Sequence, residues 1–170
     1  MEAFLQAAKN SSRILSTLSG RDKNRILKEM AQALRDNGTS LINANRLDMK
    51  DGTTNNLSSA LMDRLFLDEK RIDAMAVAIE EIAALKEPVG RILEGWVTED
   101  GLKMEKVSVP IGVIGIIYES RPNVTSDTAA LCFKSSNVCV LKGGKEAENS
   151  NKAIAEILQN VLLENKLPTS

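Results

Sequence analysis

Two short polar stretches stand directly behind the two most apolar runs of the sequence, and they carry the residue types best suited to chemistry. Glu119-Ser120-Arg121-Pro122-Asn123 follows Val113-Ile114-Gly115-Ile116-Ile117-Tyr118, and Lys142-Gly143-Gly144-Lys145-Glu146 follows Val138-Cys139-Val140-Leu141. Asn123 offers a carboxamide donor, suited to stabilising an oxyanion while a carbonyl is attacked or re-formed. Arg121 can clamp a carboxylate or phosphate with two parallel hydrogen bonds. The same Pro-Asn pair suits a plain turn in which Asn123 caps the next helix. In the second stretch, Gly143 and Gly144 let backbone approach a ligand with no Cβ in the way. Lys142 and Lys145 bring positive charge suited to ribose or phosphate oxygens, and the dipole of the next helix would add to it. The spacing is neither G-x-G-x-x-G nor a P-loop, so a solvated Gly-Gly turn is the alternative.

Other chemistries are excluded by composition. The 170 residues contain no His, which removes the imidazole base and the commonest zinc ligand together. Cys132 and Cys139 form neither a C-x-x-C pair nor a metal-binding spacing. Both lie in apolar surroundings, one within Ala129-Ala130-Leu131-Cys132-Phe133 and the other in a strand-like run. They read as buried packing residues without a base partner. A net charge of −1 argues against a general nucleic-acid binder, although a few lysines in one loop can still hold an anion. No run is long and apolar enough to cross a bilayer, and residues 1–6 lack the features of a secretory signal. The expected compartment is the reducing cytoplasm. Aromatic residues make up only 3%, so the core must be aliphatic.

The elements that must hold these loops follow from periodicity. Phe4, Ala7, Ala8, Ser11, Leu15 and Leu18 share one helical face. Ser19 and Asp22 have the spacing of a capping box, opening a helix with Ile26, Met30, Ala31 and Leu34 inward. Gly38 is placed to end it, and Ser40 to cap a short helix through Leu47. Residues 51–56, Asp-Gly-Thr-Thr-Asn-Asn, have the composition of a loop. A short helix around Leu61 and Leu65 comes next. Asp68 then caps a long one with Ile72, Met75, Ala76, Ile79, Ile82 and Ala83 inward, ended by Pro88-Val89-Gly90. Residues 92–98 and 102–109 read as a hairpin, with Asp100-Gly101 as a type I′ turn. The run from Val113 predicts a strand covered on both faces, residues 124–134 a helix, and the run from Val138 a second, parallel strand. A last helix, capped by Asn149 or Ser150, turns Ile154, Ile157, Leu158, Val161 and Leu162 inward, and residues 166–170 read as a turn into a further strand. The six methionines and Trp96 read as core or interface packing. Glu80-Glu81 and the cluster from Arg21 to Lys28 read as solvated helix faces. Ligands of open parallel sheets bind beyond the carboxyl ends of the strands, which singles out the two polar stretches.

The block Val109-Pro110-Ile111-Gly112-Val113-Ile114-Gly115-Ile116-Ile117-Tyr118-Glu119-Ser120-Arg121-Pro122-Asn123-Val124-Thr125 closely resembles the signature stretch of gamma-glutamyl phosphate reductases. The likeness runs on through residues 129–135 and 141–147. It extends back to Glu87-Pro88-Val89-Gly90, Asp63-Arg64-Leu65 and Ser19-Gly20-Arg21-Asp22-Lys23-Asn24. The resemblance implies an α/β, aldehyde-dehydrogenase-like fold: a helical amino-terminal half (1–90), a β-hairpin oligomerisation arm (91–109), and the first βαβα portion of a Rossmann-like, NADPH-binding domain (110–170). It implies NADPH-dependent reduction of L-glutamyl 5-phosphate to L-glutamate 5-semialdehyde with release of phosphate, the second step from glutamate to proline. In the family a cysteine thiolate displaces the phosphate, and that cysteine is expected in a catalytic domain beyond this chain. The 170 residues alone are therefore expected to be inactive. By the same resemblance Asn123 is the counterpart of the oxyanion asparagine, Arg121 a substrate contact, and Lys142 the lysine that touches the adenosine ribose, with Gly143, Gly144 and Lys145 completing the cofactor loop. In many family members Arg and Ser stand where this chain has Lys142 and Lys145. Expected partners are a second copy of the chain, as homodimer or higher oligomer through residues 91–109, and functional coupling to a glutamate 5-kinase. Another acyl-phosphate or aldehyde oxidoreductase of the same fold, and a non-catalytic nucleotide-binding or assembly module, are the alternatives.

Overall fold

A computed structural model describes residues 2–169; the Met1 start and the final Ser170 of the predicted closing turn lie outside them. The chain begins with five helices: α1 (Glu2–Leu15), α2 (Gly20–Asp36), α3 (Gly38–Thr54), α4 (Ser59–Leu65) and α5 (Glu69–Ala84). The starts of α2, α4 and α5 are set by side-chain caps. The hydroxyl of Ser19 accepts from the Asp22 N–H at 3.1 Å, so Ser19 caps α2 as expected; the box is not reciprocal, because the Asp22 carboxylate accepts from the Ser19 hydroxyl at 2.6 Å and not from its backbone N–H. Ser58 caps α4 through the Leu61 N–H, and Asp68 caps α5 through the Arg71 N–H at 2.7 Å. Each such cap contributes about 1 kcal/mol. The apolar face predicted for α5 is buried at all six positions, and that of α2 at all four.

Two boundaries and one buried residue differ from expectation. Gly38 begins a helix rather than ending one, because Asn37 closes α2 and opens α3 with no intervening loop. The predicted loop at 51–56 continues α3 to Thr54: Thr53 and Thr54 return their hydroxyls to the carbonyls of Met49 and Lys50, and Gly52 packs against Met62 and Leu57. A Cβ at Gly52 would stand 2.8 Å from the Met62 sulfur, so glycine here allows close approach inside a helix. Lys23, read as part of a solvated face, is only 1% exposed, its ammonium held by Glu87, Ser136 and the Lys134 carbonyl.

Strands β1 (Ile92–Val97) and β2 (Lys103–Val107) form the expected antiparallel hairpin. Its turn is not type I′, since Asp100 does not take positive φ. Gly101 alone does, at 82°, closing a three-residue loop in which its N–H meets the Thr98 carbonyl and Leu102 pairs with Thr98. Every residue of both strands is exposed, Trp96 at 47%. Ser108 ties the hairpin back to the body through the Pro88 carbonyl.

Strand β3 (Val113–Ile117), helix α6 (Pro122–Lys134), strand β4 (Val138–Lys142), a single 3-10 turn (Lys145–Ala147) and helix α7 (Glu148–Glu164) complete the chain. The two strands are parallel, with Val113 opposite Val138 and Ile117 opposite Lys142. Coverage of β3 on both faces is not observed: Ile117 is 86% exposed. In a two-stranded sheet neither strand is central, and Gly115 and Ile117 face away from the packed helices. One aliphatic core joins α1, α2, α5, α6 and α7 through Leu15, Leu27, Leu34, Ile79, Phe133 and Ile154.

Neither Asn149 nor Ser150 caps α7. Both lie in its first turn, and the cap comes from α3 instead. One oxygen of Asp48 accepts from the Asn149 N–H and side-chain amide at 3.0 and 2.8 Å. The other accepts from the Ser150 N–H and hydroxyl at 2.7 and 2.6 Å. Asn45, one turn earlier, donates to the Leu65 carbonyl and the Ser150 hydroxyl and accepts from the Leu67 N–H.

Candidate functional site at the carboxyl ends of the parallel strands

Parallel pairing fixes where both polar stretches must go. The chain leaves β3 and β4 at the same end of the sheet, and the Tyr118 N–H still reaches the Lys142 carbonyl at 3.1 Å. Residues 119–123 and 142–146 are therefore neighbouring turns on one rim, as the topology rule requires.

The first turn is shaped by Pro122. Arg121, extended at φ −114° and ψ 101°, is the N-cap of α6, and Pro122 takes the first helical position, where a missing N–H costs nothing. Asn123 therefore lies inside the first turn and does not cap it. Its side-chain nitrogen donates to Asp127 Oδ2, one helical turn ahead, at 2.9 Å. Arg121, Asn123 and Asp127 line a cleft of about 380 Å3 together with Asp63, Arg64 and Arg71 from the α4–α5 side. Arg71 is already committed there, to Asp63 and to the Phe66 carbonyl, with its guanidinium 5.4 Å from the Phe66 ring centre. Arg64 and Arg121 donate no side-chain hydrogen bond to another described residue. Burial lifts the Asp127 carboxyl above the ordinary aspartate range, against the opposing pull of the hydrogen bond from Asn123.

The second turn lies on the same rim but does not line that cleft. Lys142 and Lys145 are exposed and donate no hydrogen bond to another described residue. Gly143 has an ordinary φ, so conformational freedom does not explain it. A Cβ there would run into the Asn151 amide and stand 3.1 Å from the Tyr118 hydroxyl. Beneath it runs a short polar chain. Thr125 donates to Asn151 Oδ1 at 2.9 Å, which leaves the Tyr118 hydroxyl to donate to Thr125 at 2.6 Å. Burial raises the Tyr118 phenol above its usual pKa. Asp127, Tyr118, Thr125 and Asn151 escaped the sequence reading because each sits in an ordinary helix or strand pattern. Only the i, i+4 spacing of Asn123 and Asp127 offered a signal.

The expected dipole contribution of α7 is not available to a ligand at this turn, since the Asp48 carboxylate occupies its first-turn amides. The groups able to meet an anion at this turn are the exposed Lys142 and Lys145 side chains beside Gly143-Gly144, not the α7 terminus. Neither cysteine is placed as an exposed thiolate: Cys132 is buried, and the neighbouring Cys132 thiol together with burial pushes the Cys139 thiol up. Cys139 is only half-buried, because it borders an apolar cleft of about 320 Å3 that also reaches Phe4, Leu158 and Leu167. No helix among the described residues is long and apolar enough to cross a membrane.

Solved structures share this arrangement. An acetylating aldehyde dehydrogenase from Geobacillus thermoglucosidasius superposes with a TM-score of 0.63 at 18% identity, over 98% of this chain and 34% of its own, a likeness of fold alone. Gamma-glutamyl phosphate reductase from Thermotoga maritima superposes with a TM-score of 0.93 at 42% identity, over 96% of this chain and 40% of its own. The fold and its rim of loops thus define an aldehyde-dehydrogenase-like α/β protein. In sequence, the gamma-glutamyl phosphate reductase of Sulfurimonas denitrificans is 77% identical over all 170 residues, and that of Sulfurovum 73% identical over 168. Within the class, the chain groups with the gamma-glutamyl phosphate reductases along its whole length. It spans about two fifths of the length of these curated relatives. No family model matches it.

Proposed function

We propose that this chain is the amino-terminal, cofactor-side portion of an enzyme that reduces L-glutamyl 5-phosphate to L-glutamate 5-semialdehyde with NADPH, releasing phosphate in the second step from glutamate to proline. The observation that carries the reading is the shared rim: parallel β3 and β4 deliver Asn123 and the Lys142–Lys145 turn to one end of the sheet. In this reading residues 1–90 are the helical part of the cofactor domain, 91–109 the oligomerisation arm and 110–170 the start of the nucleotide-binding sheet. The nucleophilic cysteine belongs to a further domain.

Bound NADPH supplies the hydride. Lys142 and Lys145 hold its anionic end, with Gly143 and Gly144 keeping the backbone low beneath it. Asn123 donates its carboxamide N–H to the carbonyl oxygen as negative charge builds there, and such a donor contributes on the order of 100-fold in rate. Arg121 holds the carboxylate or phosphate end of the substrate through its planar fork. The exposed apolar residues of the hairpin, Ile92, Leu93, Trp96 and Val97, are suited to a second copy of the chain. The enzyme works in the cytoplasm and is functionally coupled to a glutamate 5-kinase.

The test uses the complete polypeptide that carries this sequence. It should oxidise L-glutamate 5-semialdehyde only when both phosphate and NADP+ are present, whereas residues 1–170 alone should show no turnover. Equal rates with aspartate semialdehyde, or turnover by the 170-residue piece, would overturn the assignment.

A further inference from the structure

Two buried side-chain oxygens among the described residues have no hydrogen-bond partner, Glu87 Oε2 and Asp127 Oδ1. Glu87 has an architectural role to offset this, since its other oxygen accepts from the buried Lys23 ammonium at 2.6 Å and from the Val89 N–H. Asp127 has none. Its only side-chain bond to another residue's side chain is the one from Asn123, and it borders the cleft rather than a helix junction.

We propose that Asp127 is a positioning residue that fixes the carboxamide of Asn123 with its nitrogen turned for donation into the cleft. The inference rests on the reading of Asn123 as the oxyanion donor. A carboxamide has a donor end and an acceptor end, and a half-turn about its last torsion exchanges them. Only the donor end can stabilise an oxyanion. An ionised carboxylate accepts and cannot donate, so Asp127 Oδ2 beside the amide selects the orientation with nitrogen toward it. The flipped amide would set oxygen against oxygen. In the selected orientation one N–H is bound to Asp127 and the second is left for the reacting carbonyl.

The charged groups around the pair are Asp63 and Arg64 on α4, Arg71 on α5 and Arg121 ahead of α6. Arg71 is tied to Asp63, so Arg64 and Arg121 are the cations that keep the cleft able to hold an anion. Burial nevertheless favours the neutral form of Asp127. A carboxyl whose folded pKa lies above its unfolded one favours the folded state at low pH, and that contribution is lost as pH rises through the folded pKa. At neutral pH the Asp127 carboxylate therefore does not stabilise the fold.

The experiment compares Asn123→Ala, Asp127→Leu, Asp127→Asn and the Asn123→Ala/Asp127→Leu double variant in the complete polypeptide, reading kcat, KM, pH profile and melting temperature. Asn123→Ala should lower kcat on the order of 100-fold. Asp127→Leu should lower kcat about 20-fold with KM little changed and melting unchanged or raised, as expected when a reacting group is misplaced but still present. The double variant should match Asn123→Ala alone. Asp127→Asn, which can accept from Asn123 but can also donate to the flipped amide and does not titrate, should recover part of the rate lost in Asp127→Leu. It should also abolish an acidic limb that lies above the ordinary aspartate range in the parent. Additive losses in the double variant, an Asp127→Leu defect that tracks lower melting, or an unchanged acidic limb in Asp127→Asn would overturn the positioning role. Parental kcat in Asn123→Ala would instead overturn the oxyanion reading beneath it.

Discussion

Asp48 and Asp127 each stand beside the first turn of a helix that follows a strand of the parallel pair, yet their environments are opposite. Asp48 is 2% exposed and accepts four hydrogen bonds from Asn149 and Ser150, so neither oxygen lacks a donor. Asp127 accepts on one oxygen and leaves the other buried and bare. The first holds α3 against α7 and closes the α7 terminus. The second leaves polar capacity unmet at the edge of a cleft. Full satisfaction at Asp48 goes with a joint that sets where loops stand; the unmet oxygen of Asp127, unlike that of the Lys23-bound Glu87, lies at a cleft edge where a reacting atom can complete the site.

The largest effect that sharpens this contrast is expected at the satisfied side. Asp48→Ala removes the acceptor from four donors at a buried junction and should destabilise the protein by about 3 kcal/mol, measured by denaturant unfolding. A loss as small as that of a surface substitution would break the comparison, because the Asp48 junction would then not be structural. Next in size is Gly143→Ala. Its new methyl group would displace the Asn151 amide and press on Tyr118, loosening the polar chain under the Gly143-Gly144 turn. A cost of about 1 kcal/mol, with NADPH affinity reduced more than stability, is the expected result. A stability loss with affinity untouched would move Gly143 to the architectural side.

The legibility of the chain follows the same division. Local signals were readable: the Ser19 and Asp68 caps, the six buried positions of α5 and the two parallel strands all follow from spacing of a few residues. Long-range polar contacts were not. Lys23 looks like one more cation on a charged helix until Glu87 and Ser136 close over it. Asp48 lies past the point where composition suggested that α3 should end, and its partners are about a hundred positions away. The turn at Gly101 shows a finer limit: Asp-Gly correctly marks a hairpin, but which of two loop geometries forms depends on pairing between Thr98 and Leu102. At the site, Arg121, Asn123 and the Lys142–Lys145 turn were visible as types in sequence order. Asp127 was hidden because a lone acid on an amphipathic helix is usually solvated.

The central claim is that the turn after β4 holds the cofactor by charge at the exposed rim and not by the helix terminus that Asp48 already fills. The NADPH dissociation constant of a Lys142→Ala/Lys145→Ala variant of the complete polypeptide tests it most directly. Loss of both lysines should weaken binding about 10-fold, a change of about 1.4 kcal/mol, with unfolding unchanged. An affinity equal to that of the parent protein would contradict the account.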